Sequence, residues 1–179
     1  MLPRQTHLAE GLALNPHEFD EIHKMLFRLG LATVLGGVLG IDRDLHRKPA
    51  GVRVLAMVCL GSAAITMASI AAMAVPSKTP VDGVLRTVQG VLSGIGFLGA
   101  GVIMRAPGKE QVHGITTASS IWISAILGMV FGLGQWELGL TSFVLACGVL
   151  VIGRRVEALV LKFAPSPDAT SSSPVSQQD

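Results

Sequence analysis

Five apolar runs closed off by charge restrict what this chain can fold into, the first and last of them short and needing tilt or flanking residues to reach across a bilayer. They cover residues 25–41, 54–75, 84–104, 115–133 and 138–152. A hydrocarbon core of about 30 Å requires roughly 20 apolar residues per spanning helix. Lipid offers no partner to an unpaired backbone N–H or C=O, so runs of this kind must be helical to cross it. Composition points the same way: 50% of the residues are hydrophobic, 15% are charged and the mean hydropathy is +0.57. Soluble domains carry about 25% charged residues. The expectation is an all-α, polytopic membrane helix bundle with about five transmembrane helices.

The formal net charge is only +2 although the chain holds 14 Lys and Arg, which argues against a nucleic-acid surface and makes the position of each charge informative. Lys and Arg in short loops resist translocation. Nine of the 14 (Arg43, Arg47, Lys48, Arg53, Arg105, Lys109, Arg154, Arg155 and Lys162) fall on one side of the alternating runs. Arg4, Lys24, Arg28, Lys78 and Arg86 fall on the other. This asymmetry predicts an N-terminus outside and a C-terminus in the cytoplasm. Residues 1–24 read as a polar N-terminal segment without an apolar signal region, and residues 25–153 as the membrane domain. Residues 154–179 read as a basic and then disordered cytoplasmic tail rich in Pro and Ser. Cys59 and Cys147 each lie inside an apolar run and read as small packing residues.

Glycine supplies the next constraint, because most of the 21 glycines fall within the apolar runs. Gly36 and Gly40, Gly90 and Gly94, and Ser124, Gly128 and Gly132 each repeat at four-residue spacing on one helix face. Small faces let helix backbones approach closely, which drives association where lipid gives no hydrophobic advantage. Gly96, Gly99 and Gly101 add to the run GIGFLGAG at 94–101. These glycines read as helix-packing positions. The density at 94–101 also fits a broken or re-entrant helix lining a polar interior.

Polar residues cluster in three places. The first loop, IDRDLHRKPAGVR, gathers Asp42, Arg43, Asp44, Arg47, Lys48 and Arg53. Arg86, Gln89 and Ser93 share a face by their three- and four-residue spacings, and such a stripe in a membrane is expected to face the bundle interior, unless Arg86 snorkels to the outer interface. Thr116, Thr117, Ser119 and Ser120 open the fourth run, either bonding carbonyls of their own helix or lining a hydrophilic path. Trp122, within that run, reads as a packed core residue. His17, Asp20, Glu21 and His23 have spacings compatible with divalent-metal ligation, but a short polar helix with solvated acids explains the same letters. There is no nucleophile elbow, P-loop or HExxH motif, so neither an enzyme nor a resident cofactor is expected.

Three blocks, GIDRDLHRKPAGVRVLAMVCLGSAA, QGVLSGIGFLGAGVIM and GITTASSIW, taken in this order resemble the transmembrane domain of the MgtC/SapB family. The resemblance covers about Gly30 to Gly153 and implies a bacterial inner-membrane protein with about five spanning helices. Asp42 stands where members often carry Glu, and Val54 and Leu55 where they carry Thr-His. Many members add a cytoplasmic C-terminal domain, so this chain resembles the short form. The resemblance further implies adaptation to low magnesium, survival within host cells for some members, and regulation of other membrane machines such as ATP synthase or transporters.

Two functional readings stand at this point. The first is a non-enzymatic regulator, embedded in the lipid bilayer, that docks on partner membrane proteins through glycine-rich helix faces; a homo-oligomer is a further possible assembly. The second is an ion or small-solute transporter acting as an oligomer. Its polar path would be lined by Asp42, Arg53, Arg86, Gln89, Ser93, Thr116 and Thr117, and Arg43 and Lys48 are further candidates for that path or for a partner site.

Overall fold

A computed structural model describes residues 16–73, 80–105 and 112–163. Among these the chain forms five helices: α1 (Pro16–Leu45), α2 (Val52–Met73), α3 (Pro80–Val102), α4 (Ile115–Gly132) and α5 (Trp136–Phe163). A two-residue antiparallel ribbon, β1 (Met104–Arg105) with β2 (Val112–His113), closes the connection from α3 to α4. Helices α1 to α4 are long and apolar enough to cross a membrane. The chain divides into two compact units, Met1–Phe143 and Val144–Asp179, and α5 starts in the first and supplies the helix of the second.

Local chemistry sets the helix ends. Helix α1 begins at Pro16, whose fixed φ suits a first turn, and continues through the polar stretch on salt bridges from Lys24 to Asp20 (2.7 Å) and Glu21 (3.1 Å). It therefore starts nine residues ahead of the apolar run at 25–41, and the expected boundary after residue 24 falls inside a helix. The same groups bear on the metal reading of the N-terminal stretch: Asp20 and Glu21 bind Lys24, and His23 Nδ1 lies 2.7 Å from Phe19 O. Among the described residues no group of three His, Cys, Asp or Glu is placed to hold a metal.

Helix α4 ends in a Schellman motif. Gly134 takes φ +80, its N–H bonds Phe131 O, and the Gln135 N–H bonds Val130 O. Helix α3 runs unbroken through the glycine-dense 94–101 segment, which corrects the re-entrant reading. Helix α5 carries on past residue 152 through Arg154 and Arg155, and residues 164–179 of the expected disordered tail lie outside the described residues.

The first unit is built around α2. Antiparallel to it, α1 lays Gly36 and Gly40 on its backbone. A Cβ at Gly36 would come within 2.6 Å of Cys59 Cβ and 2.8 Å of Leu55 O, and one at Gly40 within 2.5 Å of Val52 Cα. Parallel to α2, α4 repeats a rung every four residues. Ser124 Oγ donates to Leu55 O at 2.8 Å, a Cβ at Gly128 would collide with Cys59 O, and one at Gly132 would lie 2.7 Å from Ala63 O. Around these rungs Ala32, Cys59, Ala63, Leu127 and Phe131 form the buried core, with Leu29, Leu35 and Phe143 against it. Large apolar side chains such as Leu26, Phe27, Val34, Met57 and Phe97 point outward, as a lipid solvent allows and water discourages.

Helix α3 is held differently. Ile95 and Gly99 face inward, with a Cβ at Gly99 in ordinary contact with Ala118 at 3.5 Å. A Cβ at Gly90, Gly94, Gly96 or Gly101 meets nothing within 4 Å. The glycines thus divide into those that seat helices on α2 and those that line an open face. Gly128→Ala is expected to cost about 1–3 kcal/mol through forced backbone movement. Gly90→Ala, which fills empty space in a helix, should leave stability unchanged or raise it by up to about 1 kcal/mol. Unfolding of the two variants in detergent, followed by circular dichroism, separates these outcomes.

Candidate functional site

The end of the first unit where α1 meets α2 and α3 meets α4 holds the most concentrated polar chemistry. Helix α1 closes there with a second Schellman pattern, in which the Arg47 N–H bonds Asp44 O and the Lys48 N–H bonds Arg43 O. The left-handed position is Arg47, at φ +51, and Ala50 follows at φ +60. Each is a conformation that glycine adopts freely and other residues adopt at a cost of about 1–2 kcal/mol. The turn delivers Asp44 to the start of α2, where its Oδ2 accepts the Val52 N–H at 2.9 Å. A carboxylate at a helix N-terminus satisfies an orphan donor and the positive end of the dipole. Gly51 has no side chain because the Asp44 carboxylate occupies that space.

Arg43 projects the other way, into the bundle. It is 3% exposed, and its Nη2 donates to the Thr117 hydroxyl in the first turn of α4. Helix α4 is capped by Gly114 at φ +95, in a position where any Cβ would strike Val102 O, and no side chain caps its first turn. Arg43, Lys48, His113, Gly114, Thr116 and Thr117 line a cavity of about 200 Å³ at this end.

The polar groups singled out in the sequence do not all meet. Arg43, Lys48, Thr116 and Thr117 share the cavity. Asp42 is half-buried beside His46, whose Nδ1 lies 2.7 Å from Asp42 O and 3.7 Å from Asp42 Oδ1. Arg53 is exposed. Arg86, Gln89 and Ser93 lie on the outward face of α3 with Gly90, Gly94 and Gly101, where the sequence had suggested the bundle interior. Arg86 sits 16 residues before Val102 on α3, roughly 24 Å along the axis from the cavity.

Of the hydroxyls opening α4, Ser119 and Ser120 bond carbonyls of their own helix, while Thr117 serves Arg43. Trp122 is 47% exposed and lines a groove of about 380 Å³ between α3 and α4 with Ile95, Gly96 and Gly99, so it is not a core residue. Sequence reasoning weighted Asp42 and missed the cap made by Asp44. It also missed that Arg43 continues the Gly36 and Gly40 face at a spacing of three, a signal that was there to be read.

Four apolar helices with outward-facing hydrophobic side chains, packed through glycine and closed by a basic loop at one end, define a multi-pass helical membrane protein. The MgtC family model matches residues 29–159, and the chain belongs to that family. It is 48% identical over 120 residues to Protein SrpB of Synechococcus elongatus, an alignment covering 64% of this chain and 66% of that protein. It is 36% identical over 121 residues to Protein SapB of Bacillus subtilis, covering 66% of this chain and 51% of that one. Against Protein MgtC of Salmonella typhimurium it is 36% identical over 128 residues, covering 70% of this chain and 52% of the relative. The chain thus spans between half and two thirds of the length of these curated relatives. No solved structure matches it.

Thr117→Val, which removes the acceptor of a buried guanidinium while keeping the shape, should lower stability by about 1–3 kcal/mol. Asp44→Ala should cost about 1 kcal/mol by uncapping α2. Ser119→Ala, at an exposed hydroxyl bonded within its own helix, should change little. Thermal denaturation of the three variants in one detergent orders them.

Proposed function

We propose that this protein is a non-enzymatic regulator in the bacterial inner membrane, acting in adaptation to low magnesium by docking a transmembrane helix of a partner membrane protein against the outward face of α3. The observation that carries the reading is the composition and openness of that face. Gly90, Gly94 and Gly101 leave backbone uncovered, and Gln89 and Ser93 lie on the same exposed side. Grooves of about 290 and 380 Å³ flank the helix toward α2 and α4. Small residues permit close backbone approach, and polar side chains at membrane depth gain from hydrogen bonds across helices, so lipid chains are a poor match for such a surface. The other glycine faces, at Gly36 and Gly40 and at Gly128 and Gly132, are taken up by α2 and are not available for docking. Family membership supports the setting: a relative bears the name MgtC, and the family resemblance links such proteins to magnesium limitation.

Transport is the alternative. It would require the polar groups of α3 and those of the basic end to share one path, and in a single copy Arg86, Gln89 and Ser93 face away from the cavity that holds Arg43 and Thr117. The N-terminus outside and the C-terminus in the cytoplasm remain part of the proposal, resting on the Lys and Arg asymmetry.

Gly90→Leu combined with Gly94→Leu should leave the protein folded and inserted but abolish its support of growth in low magnesium, while Gly30→Leu, at an open position of α1, should not. Unchanged growth with the α3 double variant contradicts the docking reading. Magnesium flux into proteoliposomes that Asp42→Asn abolishes would replace it with transport.

A further inference from the structure

The basic end carries a feature that helix docking does not use. The cavity of about 200 Å³ between the first loop and the start of α4 is lined by three side chains able to carry positive charge, Arg43, Lys48 and His113, and by two hydroxyl residues, Thr116 and Thr117. None of the described residues lining it is acidic. Arg43 is held in place by burial and by its bond to Thr117, so its charge stands beside the first turn of α4. That turn is itself electropositive, because the leading N–H groups of a helix have no intrahelical partner and the macrodipole adds about half a unit charge there. Gly114, obligatory against Val102 O, brings no side-chain cap to neutralise it.

An anion placed between the guanidinium and the start of α4 is attracted by both. Lys48 is exposed at the cavity mouth, held at that place by the turn in which Arg47 takes a left-handed backbone. The space suits a tetrahedral oxyanion with several acceptor oxygens, and the donor set of guanidinium, ammonium, hydroxyl and helix N–H is one that binds phosphate. We infer that this cavity is a phosphate-group site, occupied either by the headgroup of an anionic phospholipid or by a free phosphate compound. The inference stands apart from the docking role of α3, since Gly90 and Gly94 lie away from the cavity.

The two sources separate in one experiment on the full chain. In phosphatidylcholine nanodiscs, inorganic phosphate is titrated and the thermal midpoint followed. In parallel, nanodiscs with and without phosphatidylglycerol are analysed by native mass spectrometry for lipid retained on the protein. Lys48→Ala and Thr116→Val, both at exposed side chains, keep the buried Arg43 contact and the fold. Loss of one charge-assisted bond should weaken binding by about tenfold for Lys48→Ala. Lys24→Ala, near the other end of α1, should have no effect. Phosphate stabilisation that Lys48→Ala weakens assigns a free phosphate ligand. Selective phosphatidylglycerol retention lost in Lys48→Ala assigns a lipid headgroup. The inference is overturned if neither probe binds, or if both Lys48→Ala and Thr116→Val bind as the wild type does.

Discussion

The first unit depends on the close approach of backbones to α2. Inside a bilayer a leucine gains nothing by exchanging lipid for another helix, so dispersion contacts and interhelical hydrogen bonds must hold helices together. Helix α2 presents the carbonyls of Leu55, Cys59 and Ala63 at four-residue intervals, and Ser124, Gly128 and Gly132 of α4 follow them rung by rung. Across α2 the same closeness is reached with Gly36 and Gly40 of α1. Small side chains on three helices make one block, and α3, which has no matching ladder with α2, is left with an uncovered face.

The same block fixes the basic end. Gly36, Gly40 and Arg43 lie on one face of α1, so seating the glycines on α2 carries the guanidinium inward to the first turn of α4, where Thr117 receives it. Turning the chain sharply enough for Asp44 to reach Val52 requires Arg47 and Ala50 in left-handed conformations. Packing and electrostatics at the basic end are thus two results of one helix phase.

Much of this was legible in the letters. Length and hydropathy locate the helices because the bilayer imposes a length on them, and five runs became five helices, α1 to α4 meeting the requirements of a span. Helix ends were less visible: polar residues 16–24 continue α1 through local ion pairs that hydropathy does not register. Four-residue glycine spacing identified the small faces at Gly36, Gly90 and Gly128 alike. It does not say whether the neighbour is another part of the chain, and only the three-dimensional arrangement distinguishes Gly128, tight against Cys59, from Gly90, in open space. Trp122, Gln89 and Ser93 were turned the wrong way for the same reason, since a helix wheel gives a phase without an origin, while an exposed Arg86 agrees with a side chain that reaches the interface.

Docking through α3, as proposed, requires that its outward face be covered by protein in the native membrane. Site-specific photocrosslinking in living cells measures this coverage, with a benzophenone side chain at Ser93 on that face and, for comparison, at Val34 on the outward face of α1. A discrete protein adduct is expected from Ser93 and only lipid adducts from Val34. Lipid adducts alone from Ser93, or the same protein adducts from both positions, would contradict it.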